Sequence, residues 1–416
     1  MIMNMETMQA VLPLSETLLE KLPDPTYVID RSRMKRNFAV IRNVMDETGV
    51  EIILALKGFS MWSTFPFFKE SGFVQSTASS LCEARLAYEE LGCPAYTYSA
   101  AYDENEMEEV ARMSSHVTFN SLNQFHRYEA MARAANPCIS FGLRVNPELH
   151  SHVQAIYNPC SAGSRLGIMA CYLPRPEDMP EGLEGFHCHA LCESDAEDTC
   201  HLIDAFEAHF SAYLPSLKWV NFGGGHLMTR KGYDLEKLKA RLKVFRQKWP
   251  HLKVILEPGA AFVWETGFLL GRVEDIVDNG DVRTAVMNVS FTAHMPDCLE
   301  LPYMPKVYGA IHASAEGAEL ATDPAEGEKR LGDYTHRYRL GGNSCLAGDF
   351  MGDWLFKDEL KPGHLLLFND MAHYTFVKTC TFNGLRHPSL CFVDTDTDEV
   401  LYRRDFGYED FKRKLS

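Results

Sequence analysis

The chain has 416 residues, 46% of them hydrophobic, which is more than one core absorbs, because a single core stops growing at roughly 250 to 300 residues. Its 57 acids against 41 bases give a formal charge of −16, which argues against a nucleic-acid partner, since a phosphate backbone needs clustered Lys and Arg. No apolar run approaches the ~20 residues that span a bilayer, and residues 1–14 carry no basic cluster ahead of their short apolar run, so neither a membrane partner nor a secretory signal is expected.

In chain order, a β-rich run at 26–29 comes first, followed by an amphipathic helix at 31–45. From residue 52 onward, β-rich runs at 52–57, 73–78, 95–100, 117–121, 139–145, 183–189, 219–223 and 254–257 alternate with helical patterns. The clearest helices are 81–91, 104–114, 122–135, 198–214 and 234–249, the last with Asp234 as its cap. Strands alternating with helices imply parallel pairing, and eight such units predict a closed (β/α)8 barrel over 31–264, with an open doubly wound sheet as the rival. The stretch 146–182, rich in Pro, Ser and Gly, is too long for an ordinary connection and reads as a lid or pocket loop. After residue 259 the pattern changes to short alternating runs at 269–276, 284–289, 336–340, 365–368, 389–393 and 399–402. These predict an all-β domain made of 265–416 with 8–30.

The twelve cysteines are scattered, which fits free thiols and a cytoplasmic location better than a disulfide framework. His187, Cys188, His189, Cys192, Cys200 and His201 form one cluster that raises the question of a metal. On an extended segment Cys188 faces away from His187 and His189, and no second ligand pair stands at zinc-type spacing, so no metal is expected.

In a parallel barrel the strand ends build the pocket, and three candidates fall there. Lys57 closes the first run straight out of an apolar stretch, a setting that disfavours the ammonium and frees an amine to attack an aldehyde; taken alone it reads equally well as half of an ion pair. Gly223, Gly224 and Gly225 follow the seventh run, where such barrels often bind phosphate, although a tight turn is the plainer reading. Glu257 ends the eighth run, and a carboxylate there can keep a pyridine nitrogen protonated; on its own it would pass as a strand-end ion pair.

Together these residues resemble the fold-type III (alanine racemase-like) family of pyridoxal-phosphate enzymes, which includes ornithine, diaminopimelate and carboxynorspermidine decarboxylases. The resemblance covers nearly the whole chain. In it, Phe186-His187-Cys188-His189 is similar to the strand whose last His stacks on the cofactor ring, which implies His189 for that role. Leu143-Arg144-Val145-Asn146-Pro147 is similar to the segment that places an Arg in the cofactor site. Gly342-Asn343-Ser344-Cys345-Leu346-Ala347-Gly348-Asp349 resembles the loop that delivers a Cys and an Asp to a partner subunit's site, and Asp370-Met371-Ala372-His373-Tyr374-Thr375 resembles the closing motif whose Tyr touches the phosphate.

Three departures point to a branch. Leu346 stands where an acidic residue is usual, Ala260 and Ala261 follow Glu257-Pro258-Gly259 where an Arg is usual, and Ala190-Leu191-Cys192-Glu193 replaces a Gly-Ser pair. With Ser290-Phe291-Thr292-Ala293-His294-Met295-Pro296-Asp297, they resemble the carboxynorspermidine (carboxyspermidine) decarboxylases. The resemblance implies decarboxylation of carboxynorspermidine or carboxyspermidine to norspermidine or spermidine, a step of polyamine biosynthesis, in a homodimer with shared sites. It implies pyridoxal 5'-phosphate on Lys57, with Arg144, His189, Gly223 to Gly225, Glu257 and Tyr374 around it, and Cys345 as proton donor. Asp297, Glu300 and Asp349 are the candidates for the substrate's remote ammonium groups. A diaminopimelate or ornithine decarboxylase is the alternative enzyme, and a non-catalytic homologue acting as a binding partner is the alternative of another class.

Overall fold

The structure, a computed structural model, describes residues 12–149, 155–300, 304–314 and 333–416. Residues 1–11, which include most of the stretch read for a secretory signal and the start of the expected 8–30 segment, lie outside the described residues, as do 150–154 of the long loop. The chain divides into two compact units, Lys35–Trp264 and Met1–Met34 with Glu265–Ser416. Among the described residues no helix is long and apolar enough to cross a membrane.

Strand β1 (Thr26–Asp30) belongs to the second unit. The first unit carries β2 (Glu51–Ile52), β3 (Leu54–Ala55), β4 (Ser76–Ala78), β5 (Ala95–Tyr98), β6 (Ser114–Phe119), β7 (Ser140–Asn146), β8 (Ile168–Met169), β9 (Leu183–His187), β10 (Trp219–Asn221) and β11 (Lys253–Leu256). The strands pair in parallel in the order β2-β11-β10-β9-β7-β6-β5-β4-β3. Because β2 and β3 are halves of one stave interrupted at Ile53, the sheet closes: Ile255 pairs with Glu51 on one side and Leu54 with Ser76 on the other. Closure decides for the (β/α)8 barrel against the open sheet. Short β8 hangs off β7 inside the long 146–182 segment.

Local chemistry explains the elements. Helix Leu122–Ala135 begins where Ser121 Oγ accepts from Gln124 N at 3.2 Å, and it buries Phe125, Tyr128 and Ala132 on one face against Phe119 and Phe141. Helix Ala196–Phe210 starts two residues before the expected 198. Asp195 accepts from Asp198 N, and the Asp198 carboxylate accepts from Asp195 N, a reciprocal cap that the reading from Asp198 overlooked. Asp234 caps Leu235–Lys248 as expected, accepting from Lys237 N at 3.0 Å.

The barrel floor is filled by one large side chain. A Cβ on Gly142 or Gly185 would lie 2.2 and 2.0 Å from the Trp219 ring, so β7 and β9 carry glycine where β10 sends its indole across the lumen. Trp219 Nε1 donates to Ser140 Oγ at 2.9 Å, and Ile53, Tyr96 and Ile255 pack with the indole into a layer.

The second unit is a mostly antiparallel sheet of β1 with β12 (Gly267–Asn279), β13 (Val282–Met287), β14 (Ala310–His312), β15 (His336–Gly341), β16 (Phe350–Phe356), β17 (Leu365–Asn369), β18 (Ser389–Asp394) and β19 (Glu399–Arg404). The order is β14-β16-β15-β13-β12-β1-β18-β19, with β17 on β12. Val28, Phe268, Leu270, Leu367, Cys391 and Val393 form its core. Strand β16 is unpredicted from sequence because Gly352 and Asp353 break its apolar alternation.

Candidate active site

Lys57 stands two residues past β3, in a turn rather than at the strand's end as expected. Gly58 N and Phe59 N both donate to Ala55 O, at 3.0 and 3.2 Å. The turn presses on the end of the eighth stave, since a Cβ on Gly58 would lie 2.9 Å from Gly259 Cα. Leu56, Gly58 and Phe59 are buried while the Lys57 side chain is open to water. The neighbouring protein atoms nonetheless take water from around the amine, and that governs its charge. Burial and the Arg144 guanidinium pull its pKa below the ordinary lysine value, against the pull of Glu257.

His189 faces that amine, with Nε2 3.3 Å from Lys57 Nζ. Its Nδ1 accepts from Gly224 N at 3.0 Å, which places the proton of a neutral ring on Nε2. Burial first, then Lys57 and Arg144, hold its pKa well below the usual histidine range. Arg144, buried on β7, donates to His189 O at 3.1 Å, and its guanidinium lies 4.5 Å from the centre of the Tyr98 ring.

The glycine triplet is shaped by its neighbours. A Cβ on Gly223 would lie 2.5 Å from His189 Cβ, on Gly224 2.6 Å from Glu257 O, and on Gly225 2.4 Å from Leu191 O. Gly223 and Gly225 also have φ of 71° and 92°. The Gly223 amide donates to Asn221 Oδ1 at 2.8 Å and the Gly224 amide to His189, so both serve the site's own side chains.

Glu257 follows β11 directly. Its Oε1 accepts from Asn221 Nδ2 at 2.6 Å, and Oε2 lies 3.2 Å from His187 Nε2. Burial pushes its carboxyl up, but His187, Asn221 and Lys57 outweigh burial and hold it below the usual carboxylate range, so it is anionic at neutral pH. Asn221 and Tyr98 are site residues that the sequence does not single out, and His187 stands out in it only as a metal candidate and as the first His of the stacking motif. An inward Asn two residues before a glycine triplet, in an otherwise apolar strand, is the signal that identifies the first.

The remaining candidates lie in the second unit. Helix Asp297–Glu300 points both carboxylates at Lys378: Asp297 Oδ1 makes a short contact and Glu300 Oε2 lies 2.9 Å away. Asp349 is buried and accepts from Ser290 Oγ, Thr292 N and Ser344 N at 2.9 to 3.2 Å, which occupies its carboxylate in holding the 342–349 loop. Cys345 is exposed in that loop, and its N donates to Asn383 Oδ1 at 2.8 Å. Tyr374 has φ 46° and ψ −54°, and Thr375 N donates back to His373 O across it, a strained γ-turn of the rarer hand. Among the described residues no three His, Cys, Asp or Glu side chains gather as a metal set.

A lysine amine biased against its proton, a neutral imidazole beside it, a buried carboxylate anion and a glycine turn without room for a Cβ suit a planar phosphorylated aldehyde with a basic ring nitrogen. Comparison with known proteins agrees. The family described as pyridoxal-dependent decarboxylase, C-terminal sheet domain, matches residues 26–372. A carboxyaminopropylagmatine decarboxylase of Synechocystis sp. is 43% identical over 98% of this chain and 99% of its own length. A carboxynorspermidine/carboxyspermidine decarboxylase of Campylobacter jejuni is 38% identical over 94% and 98%. The crystal structure of the C. jejuni carboxynorspermidine decarboxylase complexed with norspermidine superposes with a TM-score of 0.82 at 36% identity, covering 94% of this chain and 100% of that one. The chain therefore belongs to the pyridoxal-dependent decarboxylases and works with pyridoxal phosphate.

Proposed function

We propose that the chain decarboxylates carboxynorspermidine or carboxyspermidine, giving norspermidine or spermidine, as a cytoplasmic homodimer whose sites are shared between subunits. The observation that carries the chemistry is the buried anionic Glu257 in the same site as a lysine whose surroundings weaken its hold on its proton. The names of the C. jejuni relative and of a Herminiimonas arsenicoxydans relative, 32% identical over 94% of this chain, support the substrate. Decarboxylation fits better than exchange of a proton at Cα, because an anion rather than a cation stands ready for the ring nitrogen.

Pyridoxal phosphate, when bound, supplies the electron sink for the bond that breaks as carbon dioxide leaves. Lys57 binds it through Nζ. His189 orients its ring as a neutral neighbour, anchored by Arg144 at the backbone carbonyl. The phosphate falls to the end of the glycine turn at Gly225, since the Gly223 and Gly224 amides are engaged by Asn221 and His189, and to Tyr374, in place of the Arg absent after Gly259. Glu257 holds a proton at the ring nitrogen. Cys345 Sγ of the neighbouring subunit returns a proton to Cα. Asp297 and Glu300 take the distal ammonium groups; Asp349, a third candidate by sequence, holds the Cys345 loop with its carboxylate.

A second reading has its own support, since the Synechocystis relative is named for carboxyaminopropylagmatine, whose far end is a guanidinium. Release of carbon dioxide from carboxynorspermidine, carboxyspermidine, carboxyaminopropylagmatine, diaminopimelate and ornithine separates the readings. A carboxylated polyamine is expected to give the highest kcat/KM. Preference for diaminopimelate or ornithine would overturn the substrate, and no release from any of them would leave the non-catalytic homologue.

A further inference from the structure

His187 has no part in the roles assigned above, yet it is 3% exposed and lines the barrel lumen two residues before His189. The two rings are parallel to within 2°, with centroids 6.5 Å apart, and the edge of Tyr98 closes one side at 5.4 Å. Among the described residues neither ring nitrogen completes a hydrogen bond; Nε2 lies 3.2 Å from Glu257 Oε2, within ion-pair reach but off the line of a well-formed hydrogen bond. A buried polar atom left without a partner costs about 1 to 3 kcal/mol, so an apolar residue would suit the floor better if packing were the whole task.

The charges around the ring explain its form. Burial comes first, and the Arg144 and Lys57 cations add to it in lowering the His187 pKa, with Glu257 opposing. His187 is thus neutral at pH 7, as is the Asn221 amide on the other carboxylate oxygen. One oxygen of Glu257 accepts from the uncharged Asn221 amide and the other has the uncharged His187 Nε2 within 3.2 Å, so neither neighbour cancels its charge. A cation in that place would restrain it equally well and take the charge away.

We propose that His187 is a positioning residue, a donor at Nε2 that fixes the Glu257 carboxylate from the barrel floor so that its charge is presented to the ring nitrogen of pyridoxal phosphate. The proposal rests on the reading of Glu257 as the partner of that nitrogen.

The test uses the full chain, stripped of cofactor and reconstituted with pyridoxal phosphate, as wild type, His187→Leu, His187→Gln and Glu257→Gln. Loss of one donor to a buried carboxylate is expected to weaken cofactor affinity about tenfold in His187→Leu and to move the pH midpoint of the bound cofactor's absorbance. His187→Gln, which carries an amide donor near the former Nε2, is expected to return both to within about twofold of wild type. Ring ¹⁵N shifts of His187 in the unloaded protein are expected to show a neutral ring protonated at Nε2. Wild-type affinity and midpoint in a folded His187→Leu would overturn the proposal, as would an imidazolium signal or a His187→Gln as defective as the Leu variant. If Glu257→Gln leaves affinity and absorbance untouched, the underlying assignment of Glu257 fails instead, and the two failures are told apart.

Discussion

Two lysines, one in each unit, show how surroundings divide a single chemistry. Lys57 at the barrel rim loses affinity for its proton to burial and to Arg144. Lys378 in the sheet unit is also pulled down by burial, but Asp297 and Glu300 outweigh that and hold its pKa above the ordinary lysine value. The first gives up its proton more readily than an ordinary lysine, and the second, a cation on two carboxylates, less readily. What separates them is which effect wins: burial, reinforced by Arg144, at Lys57, and two carboxylates over burial at Lys378.

The contrast breaks most visibly at Lys57. Lys57→Ala is expected to cut carbon dioxide release by on the order of a thousandfold or more and to abolish borohydride-trapped cofactor on the chain, read by mass spectrometry. Native-rate release from that variant would end the proposal for the site. Next in size is Trp219→Ala, expected to lower stability by about 3 to 5 kcal/mol in urea unfolding, because the glycines of β7 and β9 leave nothing to fill the hole.

On the sheet side, replacing Asp297 and Glu300 together by Ala is expected to raise KM for the carboxylated polyamine about tenfold with little change in kcat or in the cofactor's absorbance. An unchanged KM removes both carboxylates from substrate binding. The smallest effect is the most diagnostic. With its folded pKa below the unfolded value of 10.5, Lys57 charge opposes folding at lower pH, and the opposition fades as pH rises through that window. Arg144→Met should therefore move the pH midpoint for trapping a small neutral aldehyde on Lys57 upward, toward 10.5. A midpoint that stays or falls would show that Arg144 does not set the amine's charge.

The strand and helix periodicities were enough to predict the barrel, because every stave carries a buried run and nearly every connection a one-faced helix. They could not reveal the interruption at Ile53, since closure through two half-strands is a property of register. The expected 81–91 helix turns into a wider coil at Ala87–Leu91, which Gly92 ends with φ 78°. At the rim, Lys57, Gly223 to Gly225 and Glu257 were legible from their places at strand ends. Asn221 carried only the weak signal of a polar residue in an apolar strand ahead of the glycines, and the place of His187 beside Glu257 was not legible, because a residue one layer down shows its partner only once the facing strand is known. Asp349 shows the reverse: a loop carboxylate legible as a ligand group is occupied by hydroxyl and amide donors of its own unit.

The indole that bridges β7, β9 and β10 has a consequence for traffic. With that end of the cylinder filled by the indole among the described residues, the acid arriving, the gas escaping and the amine departing are left the opposite rim, where Lys57 and Glu257 stand. Enlarging the bottom would open a second exit only by dismantling the stopper, so changes of substrate are expected to be written into the lip and to leave the two glycines beneath it alone.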